Sequence, residues 1–408
     1  MFKAFSFSNA TAGLVAVMVG FTSSIAIVFQ AATAAGATPA VISSWLLALG
    51  VGMAITCIGF SFYYRIPILT AWSTPGAALL VTSLSGVSMP EAIGAFIFSA
   101  ILVFLSGITG LFAKVMVHIP RSITAAMLAG ILLQFGTHIF VAMQSQFLIV
   151  CSLFIIYLIG KRLFPRFVIL LLLLVGILLV TMKGMFHPEH IHISLSAPLF
   201  TAPTFSLSAF IGIAIPLFIV TMTSQNMPGI AVMQASGYQP AISSIISWMG
   251  AINLVLAPFG GFSINLAAIT AAICVSKEAD PDPTKRYKAA IFAGIFYLLI
   301  GLFGATVVAL FSAFPKELVL AIAGLALLST IGSSLKIALE DDAQREAALI
   351  TLLVSASGIS LFGIGAAFWG LVAGIFSLIL GNSSWSWLLQ KLTSIIPANA
   401  SRRQLKNT

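Results

Sequence analysis

Charge is what this sequence has least of. Only 7% of its 408 residues are Asp, Glu, Lys or Arg, and 60% are hydrophobic, whereas a soluble domain carries about 25% charged residues. So little polar surface excludes a water-facing globule, and the apolar surface must face lipid. There are three cysteines, Cys57, Cys151 and Cys274, each in an apolar run and none at metal-ligand spacing from another. That excludes a disulfide framework or a zinc site and leaves small core residues. Acids are the scarcer charge, ten against nineteen Lys and Arg: Glu91, Glu189, Glu278, Asp280, Asp282, Glu317, Glu340, Asp341, Asp342 and Glu346. Each maps to a loop or to the end of an apolar segment. No acid, His or Cys constellation is in place to run chemistry, which argues against a membrane enzyme. Nor do short segments alternate between polar and apolar residues, as a membrane β-barrel requires.

Long apolar runs dominate instead, such as 167–182 and 291–314. We read fourteen apolar segments: 10–31, 40–60, 67–83, 91–113, 120–136, 147–160, 166–183, 207–226, 237–256, 260–275, 287–311, 316–333, 344–361 and 364–388. The third and tenth are short and interrupted by Pro or Gly. No cleavable signal peptide is evident, and the first segment reads as a retained helix. The longest polar insertion is 184–206, rich in His and Pro. With the N-terminus inside, fourteen spans put every Lys and Arg on the cytoplasmic side except Lys183 and Lys316. This split predicts that both termini are cytoplasmic. It also accounts for the net charge of +9 without nucleic acid.

Three landmarks recur in order. Ala34–Val41 matches Ala235–Ile242, Trp72-Ser73 matches Phe262-Ser263, and Pro120-Arg121 matches Pro315-Lys316, with shifts of 201, 190 and 195 residues. Seven spans per copy is odd, so the second copy enters the membrane from the opposite side. The expected fold is therefore all-α and polytopic, with fourteen transmembrane segments in a seven-plus-seven inverted-topology repeat. Residues 1–190 form the first repeat, 205–390 the second, and 391–408 a cytoplasmic tail.

In such folds the ligand sits near the midplane, where broken helices meet. The two interrupted segments are Ile68–Gly76 and Ala257–Asn265. Each reads as an extended stretch followed by a half-helix. Ser73 or Thr74 is the N-cap with Pro75 just inside, and Ser263 is the N-cap of the second. Two facing helix N-termini offer N–H donors and positive dipole ends, which suit a carboxylate without a buried Arg or Lys. The other reading, that Pro and Gly merely kink packed helices, leaves the symmetric placement unexplained. A third polar cluster, Thr221–Gly229, near the end of span eight, should face protein or a cavity; a helix-end cap or interhelix hydrogen bonds are the lesser alternatives. Span one offers Thr22, Ser23, Ser24 and Gln30; its hydroxyls more simply bond back to their own helix. With no acid at midplane, a coupling proton travels on the ligand's own carboxylate or uses Glu91 or His138. A cation held by hydroxyls such as Ser23 and Ser24 is the alternative. Neither a metal nor an organic cofactor is expected.

Several strings are familiar. Thr70–Ala78, Met222–Ala231, Ala267–Cys274 and Ala323–Gly332 resemble the benzoate/proton symporter (BenE) family, over about residues 10–380. The resemblance implies uptake of benzoate with protons across a bacterial inner membrane. That family is in turn similar to nucleobase permeases and sulfate-type anion carriers. The likeness implies a core of spans 1–4 and 8–11, a gate of spans 5–7 and 12–14, and a homodimer. By that analogy Gln225 falls where nucleobase permeases use a glutamate. Ile264-Asn265 falls on their Glu-Asn pair, so both acids are absent here, which fits an anionic ligand. The expected site comprises Trp72, Ser73, Thr74, Gly76, Ser224, Gln225, Asn226, Gly261, Phe262, Ser263 and Asn265. The aromatic ring lies against Trp72 and Phe262. The carrier is of an elevator or rocking type, with one site per protomer. A carrier of another small anion or a nucleobase, and a passive anion channel, are the competing functions.

Overall fold

The computed structural model describes residues 7–110, 120–165, 167–185, 192–362 and 364–381. The predicted tail 391–408, His118 and Glu189 lie outside these residues. Helix α1 (Phe7–Ala34) is followed by α2 (Pro39–Tyr64), strand β1 (Thr70–Trp72), α3 (Thr74–Ser83) and α4 (Met89–Ile108). Then come α5 (Arg121–Ser145), α6 (Phe147–Leu163) and α7 (Val168–Met182). After an extended stretch over 192–206 the chain forms α8 (Leu207–Ala235), α9 (Ile242–Leu256), β2 (Ile264–Leu266) and a one-turn helix, α10 (Ala271–Cys274). Helices α11 (Tyr287–Leu302), α12 (Gly304–Ser312), α13 (Lys316–Leu339) and α14 (Arg345–Ala356) follow. A two-residue hairpin of β3 (Ser360–Leu361) and β4 (Ile364–Gly365) then leads to α15 (Ala366–Gly381).

Among the described residues seven helices are long and apolar enough to cross a membrane, or eight when α11 and α12, bent by 60° at their junction, count as one. The 28 residues of α1 reach about 42 Å, more than the roughly 30 Å of hydrocarbon they would traverse. Local sequence sets where helices start. Thr38 caps α2 ahead of Pro39, and Ser88 with Glu91 forms a capping box on α4. Small residues let helices approach closely. A Cβ on Gly50 would lie 2.6 Å from the Gly301 Cα, at the crossing of α2 and α11, and one on Gly250 would lie 2.4 Å from the Phe104 backbone, at the crossing of α9 and α4.

Helix α8 corrects one sequence expectation. The predicted span ended at 226, with the polar cluster near its end, but the helix runs on to Ala235. Two π-turns, Phe210–Ala214 and Met222–Asn226, explain why. Each is followed two residues later by proline, Pro216 and Pro228. A proline ring clashes with the carbonyl four residues back, here that of Gly212 or Ser224. The wider π-turn takes up that clash, and the helix survives its proline.

The stretch 192–206 is a strap across the ends of several helices. Ser196 donates its N–H to Leu302 O (2.7 Å), and its hydroxyl accepts from Ala305 N (3.0 Å), filling the break between α11 and α12. Leu199 N donates to Ser44 Oγ on α2 (2.9 Å). Thr201 N reaches Pro258 O beyond α9 (2.8 Å), and Thr204 N reaches Pro90 O on α4 (3.0 Å).

Candidate functional site

The two interrupted segments meet. β1 and β2 pair antiparallel in the register Thr70 with Leu266, Ala71 with Asn265 and Trp72 with Ile264. The ladder continues from Ser73 N to Ser263 O (2.9 Å) and from Ala267 N to Leu69 O (2.9 Å). Two strands deep in a membrane protein have outer edges with no water to meet them. Side chains do so instead. On the β1 side the Ser61 hydroxyl pairs with both N and O of Ile68 (3.1 and 3.0 Å). Cys57 Sγ does the same for Thr70 (3.2 and 3.5 Å). Residues four apart on a helix rise about 6 Å and residues two apart on a strand about 6.6 Å, so the two rows keep step. On the β2 side Asn253 of α9 grips Ile264 with both amide atoms, and Asn226 of α8 accepts from Leu266 N. Asn253, Cys57 and Ser61 were not among the predicted site residues.

Ser73 caps α3 as expected: its hydroxyl accepts from Gly76 N at 2.9 Å, and Pro75 lies in the first turn. Because Pro75 has no N–H and Ser73 occupies that of Gly76, Thr74 supplies the N–H left at the start of α3. A Cβ on Gly76 would lie 2.8 Å from both Ser73 Oγ and Leu217 Cδ1.

Ser263 does not cap a helix. Gly260, at φ 92°, turns the chain, residues 264–266 are then held in β2, and α10 starts only at Ala271. The Ser263 hydroxyl instead bonds Thr221 Oγ1 (3.0 Å), which also donates to Ser73 Oγ (3.3 Å). Thr221 on α8 thus bridges the two matching serines, all three being buried. Only the first of the two expected half-helices is therefore a formed N-terminus.

The predicted residues divide into two groups. Asn226 and Asn265 are fully buried. The Asn265 amide oxygen accepts from Ser73 N and its nitrogen donates to Leu266 O, each at 3.0 Å. Trp72 is buried, with its indole N–H on Ser24 Oγ (2.7 Å) and its ring beside Phe21 (5.9 Å). Phe262 packs against Trp45 and Phe96, each 6.1 Å away, which leaves it no free ring face. Gly261 is buried in the turn that bonds to Leu256 O (3.0 Å). Thr74, Ser224 and Gln225 are half-buried, and the side chains of Ser224 and Gln225 have no hydrogen-bond partner among the described residues. Gln225 lies one turn on from Thr221, on the same side of α8.

Of the coupling candidates, Ser23 and Ser24 both donate to Gly20 O (3.0 and 2.8 Å), the back-bonding expected of span-one hydroxyls. Glu91 is engaged in its capping box and His138 is exposed on α5. The described acids sit at helix ends or in loops. One of these is nevertheless buried: Asp280, between α10 and α11, accepts from Asn9 Nδ2 at 3.0 Å. Beside it, Arg286 donates to the backbone oxygens of Asp280 (2.7 Å) and Val275 (2.9 Å).

Of the cavities that open on the described surface, two are not lined by any residue predicted for the site. One, of about 1030 Å³, lies near the start of α2, the end of α12 and the strap. The other, of about 660 Å³, runs along Phe7, Thr11, Val15 and Val19 of α1, with Pro165, Ile269 and Ile273 opposite. Those α1 residues recur every four positions, and the next turn brings Thr22 and Ser23.

Comparison with known proteins agrees with this architecture. Residues 3–380 match the family described as "Benzoate membrane transport protein". The chain is 49% identical to the Escherichia coli (strain K12) inner membrane protein YdcO over 363 residues, covering 89% of this chain and 93% of that protein. It is 42% identical to the benzoate membrane transport protein of Acinetobacter baylyi over 375 residues, covering 92% and 95%. Among solved structures, the transmembrane domain of the cyanobacterial bicarbonate transporter BicA superposes with a TM-score of 0.64 at 12% identity, over 90% of this chain and 97% of that one. Murine Slc26a9, an anion transporter in an inward-facing state, gives 0.60 at 12% identity, over 95% and 69%. At such identity the likeness establishes the fold alone.

Proposed function

This chain belongs to the benzoate membrane transport protein family, a family of transporters rather than enzymes, and from that premise we propose that it imports benzoate or a related small aromatic carboxylate across a bacterial inner membrane together with protons. The observation that carries the reading is the pair of unfilled polar side chains, Ser224 and Gln225. They sit on a π-turn of α8, one turn from the Thr221 that touches the cap of α3. A helix N-terminus carries roughly half a positive charge. Among the described residues, α1, α3, α8 and both strands carry no acid to repel a carboxylate. The carboxylate lies between Thr74 N–H and Gln225, with the hydroxyl of Ser224 beside Gln225 on the same π-turn. Phe21 and Trp72 wall the ring, whereas Phe262 supports the core behind them.

Fourteen spans in two inverted repeats, 1–190 and 205–390, remain the reading for the whole chain. Support comes from the matching order of α1, α2, β1, α3, α4 and α8, α9, β2, α10, α11. Cytoplasmic termini, a core and a gate, and a homodimer belong to the same proposal. The crevice along α1 then opens to the cytoplasm. The coupling proton enters with the ligand's carboxylate, since the site holds no titratable side chain.

Uptake of radiolabelled benzoate into proteoliposomes tests the function. Accumulation above the outside concentration under an imposed pH gradient is expected, and its collapse with the gradient. A channel would only equilibrate the label. Accumulation driven by sodium and indifferent to pH would replace the proton with a cation, with Ser23 and Ser24 as its first candidates.

A further inference from the structure

The strand pair that underlies the site is held by side chains from other helices, and this suggests a division of labour among neighbouring amides. In an antiparallel pair, alternate residues turn their N–H and C=O away from the partner strand. On β2 these are Ile264 and Leu266. Asn253, 3% exposed, takes both backbone groups of Ile264: its Nδ2 donates to the carbonyl at 2.9 Å and its Oδ1 accepts from the N–H at 2.8 Å. Asn226, fully buried, accepts from Leu266 N at 2.9 Å, and its Nδ2 donates to Met222 Sδ at 3.1 Å. Together the two amides do for β2 what a third strand would do. Each amide gives one of its two N–H groups to these contacts, and both side chains are buried. Gln225, next along the same π-turn, is half-buried and without a partner.

We propose that Asn253 and Asn226 are positioning residues for the transported carboxylate: they fix β2, and with it Ser263 and Asn265, without touching the anion, while Gln225 alone of these amides is a contact. The chain of action runs through named bonds. β2 fixes Ser263, Ser263 bonds Thr221, and Thr221 bonds the Ser73 that caps α3. Movement of β2 by a fraction of an ångström is therefore passed to the N-terminus that faces the anion. This inference rests on the function proposed above.

The two asparagines make different demands. Asn226 needs only an acceptor toward Leu266, so Asn226→Asp keeps the essential atom. Asn253 needs a donor and an acceptor together; a protonated carboxyl supplies both, and leucine supplies neither. The experiment measures benzoate binding to the purified protein by equilibrium dialysis in mildly acidic buffer. Melting temperature and hydrogen exchange of the peptide spanning residues 262–268 are recorded alongside. Asn253→Leu should weaken binding about tenfold, the usual scale for one lost buried hydrogen-bond pair, and should speed exchange in that peptide. Asn253→Asp and Asn226→Asp should bind within about threefold of the parent, with exchange unchanged, whereas Gln225→Leu should lose binding with exchange unchanged. If Asn226→Asp loses binding at parental melting temperature and exchange, its Nδ2 touches the anion and the proposal is overturned. It is equally overturned if Asn253→Leu binds as the parent does. Should Asn253→Leu fail to fold, the two aspartate variants and Gln225→Leu still decide. If the parent binds no benzoate, the functional reading falls, while exchange in Asn253→Leu still reports on the clamp.

Discussion

Gln225 and Asn226 are neighbours with the same functional group and opposite surroundings, one open and one sealed against β2. Gln225→Ala should weaken benzoate binding by about 1–3 kcal/mol, the range for losing a donor to a charged group. Gln225→Glu introduces a carboxylate beside a carboxylate. Its penalty should be larger at high pH than at low pH, shrinking as the side chain protonates in acid. A binding titration at several pH values checks both, and parental affinity in both variants would move the site elsewhere. That Gln225 and Asn226 turn away from lipid was legible in sequence because amides beside Pro-Gly are costly there. Their different surroundings were not. They depend on which way each points from a π-turn, and a π-turn leaves no mark on hydrophobic period. Asn253 was illegible for a related reason: its partner is a backbone eleven residues away, and backbone partners have no side-chain signature.

Among the elements, the caps and breaks read most directly. Pro75 behind Ser73 marked the start of α3, and Ser73→Ala should cost about 0.5–2 kcal/mol as a lost N-cap, measured as a lowered melting temperature in detergent. The same logic failed at Ser263, because pairing with β1 keeps residues 264–266 extended and no helix can begin there. What turns the chain at that point is Gly260, in a left-handed conformation, where a Cβ would fall 1.8 Å from the Trp45 ring. Gly260→Ala should therefore destabilise the protein by about 3 kcal/mol, through backbone strain and displaced indole together. The end of α8 was misread because proline ordinarily ends a helix, and here the π-turns absorb it.

For the whole molecule, the scarcity of acid within the membrane frames the question of coupling. Neutralising the ten acids one at a time should leave proton-driven benzoate accumulation intact. Loss of accumulation with benzoate exchange preserved, in any one of them, would identify a protein proton site and overturn transport of the proton on the ligand. Asp280 is the most exacting of these tests, being buried. Asp282 is a useful control. Hydrogen bonds from Thr284 and Lys285 pull its carboxyl down to about 2. Whatever it contributes is present above the ordinary value of about 3.8 and lost only as pH falls through about 2. Asp282→Asn should therefore leave the pH profile of uptake unchanged across the neutral and mildly acid range. Membrane character and family were open to inspection in the sequence, because composition and nine-residue strings carry them. The buried setting of Asp280 was not, since it comes from Asn9, at the far end of the chain.

The strap over 192–206 has a mechanical consequence. It is bonded in turn to α11–α12, α2, the end of α9 and α4, so it works as a tie-beam across one end of that group of helices. Helices tied at one end can splay only at the other. The strap end is thus the pivot, and the free end, where the N-terminal turns of α1 already line a crevice, is where the bundle has room to swing.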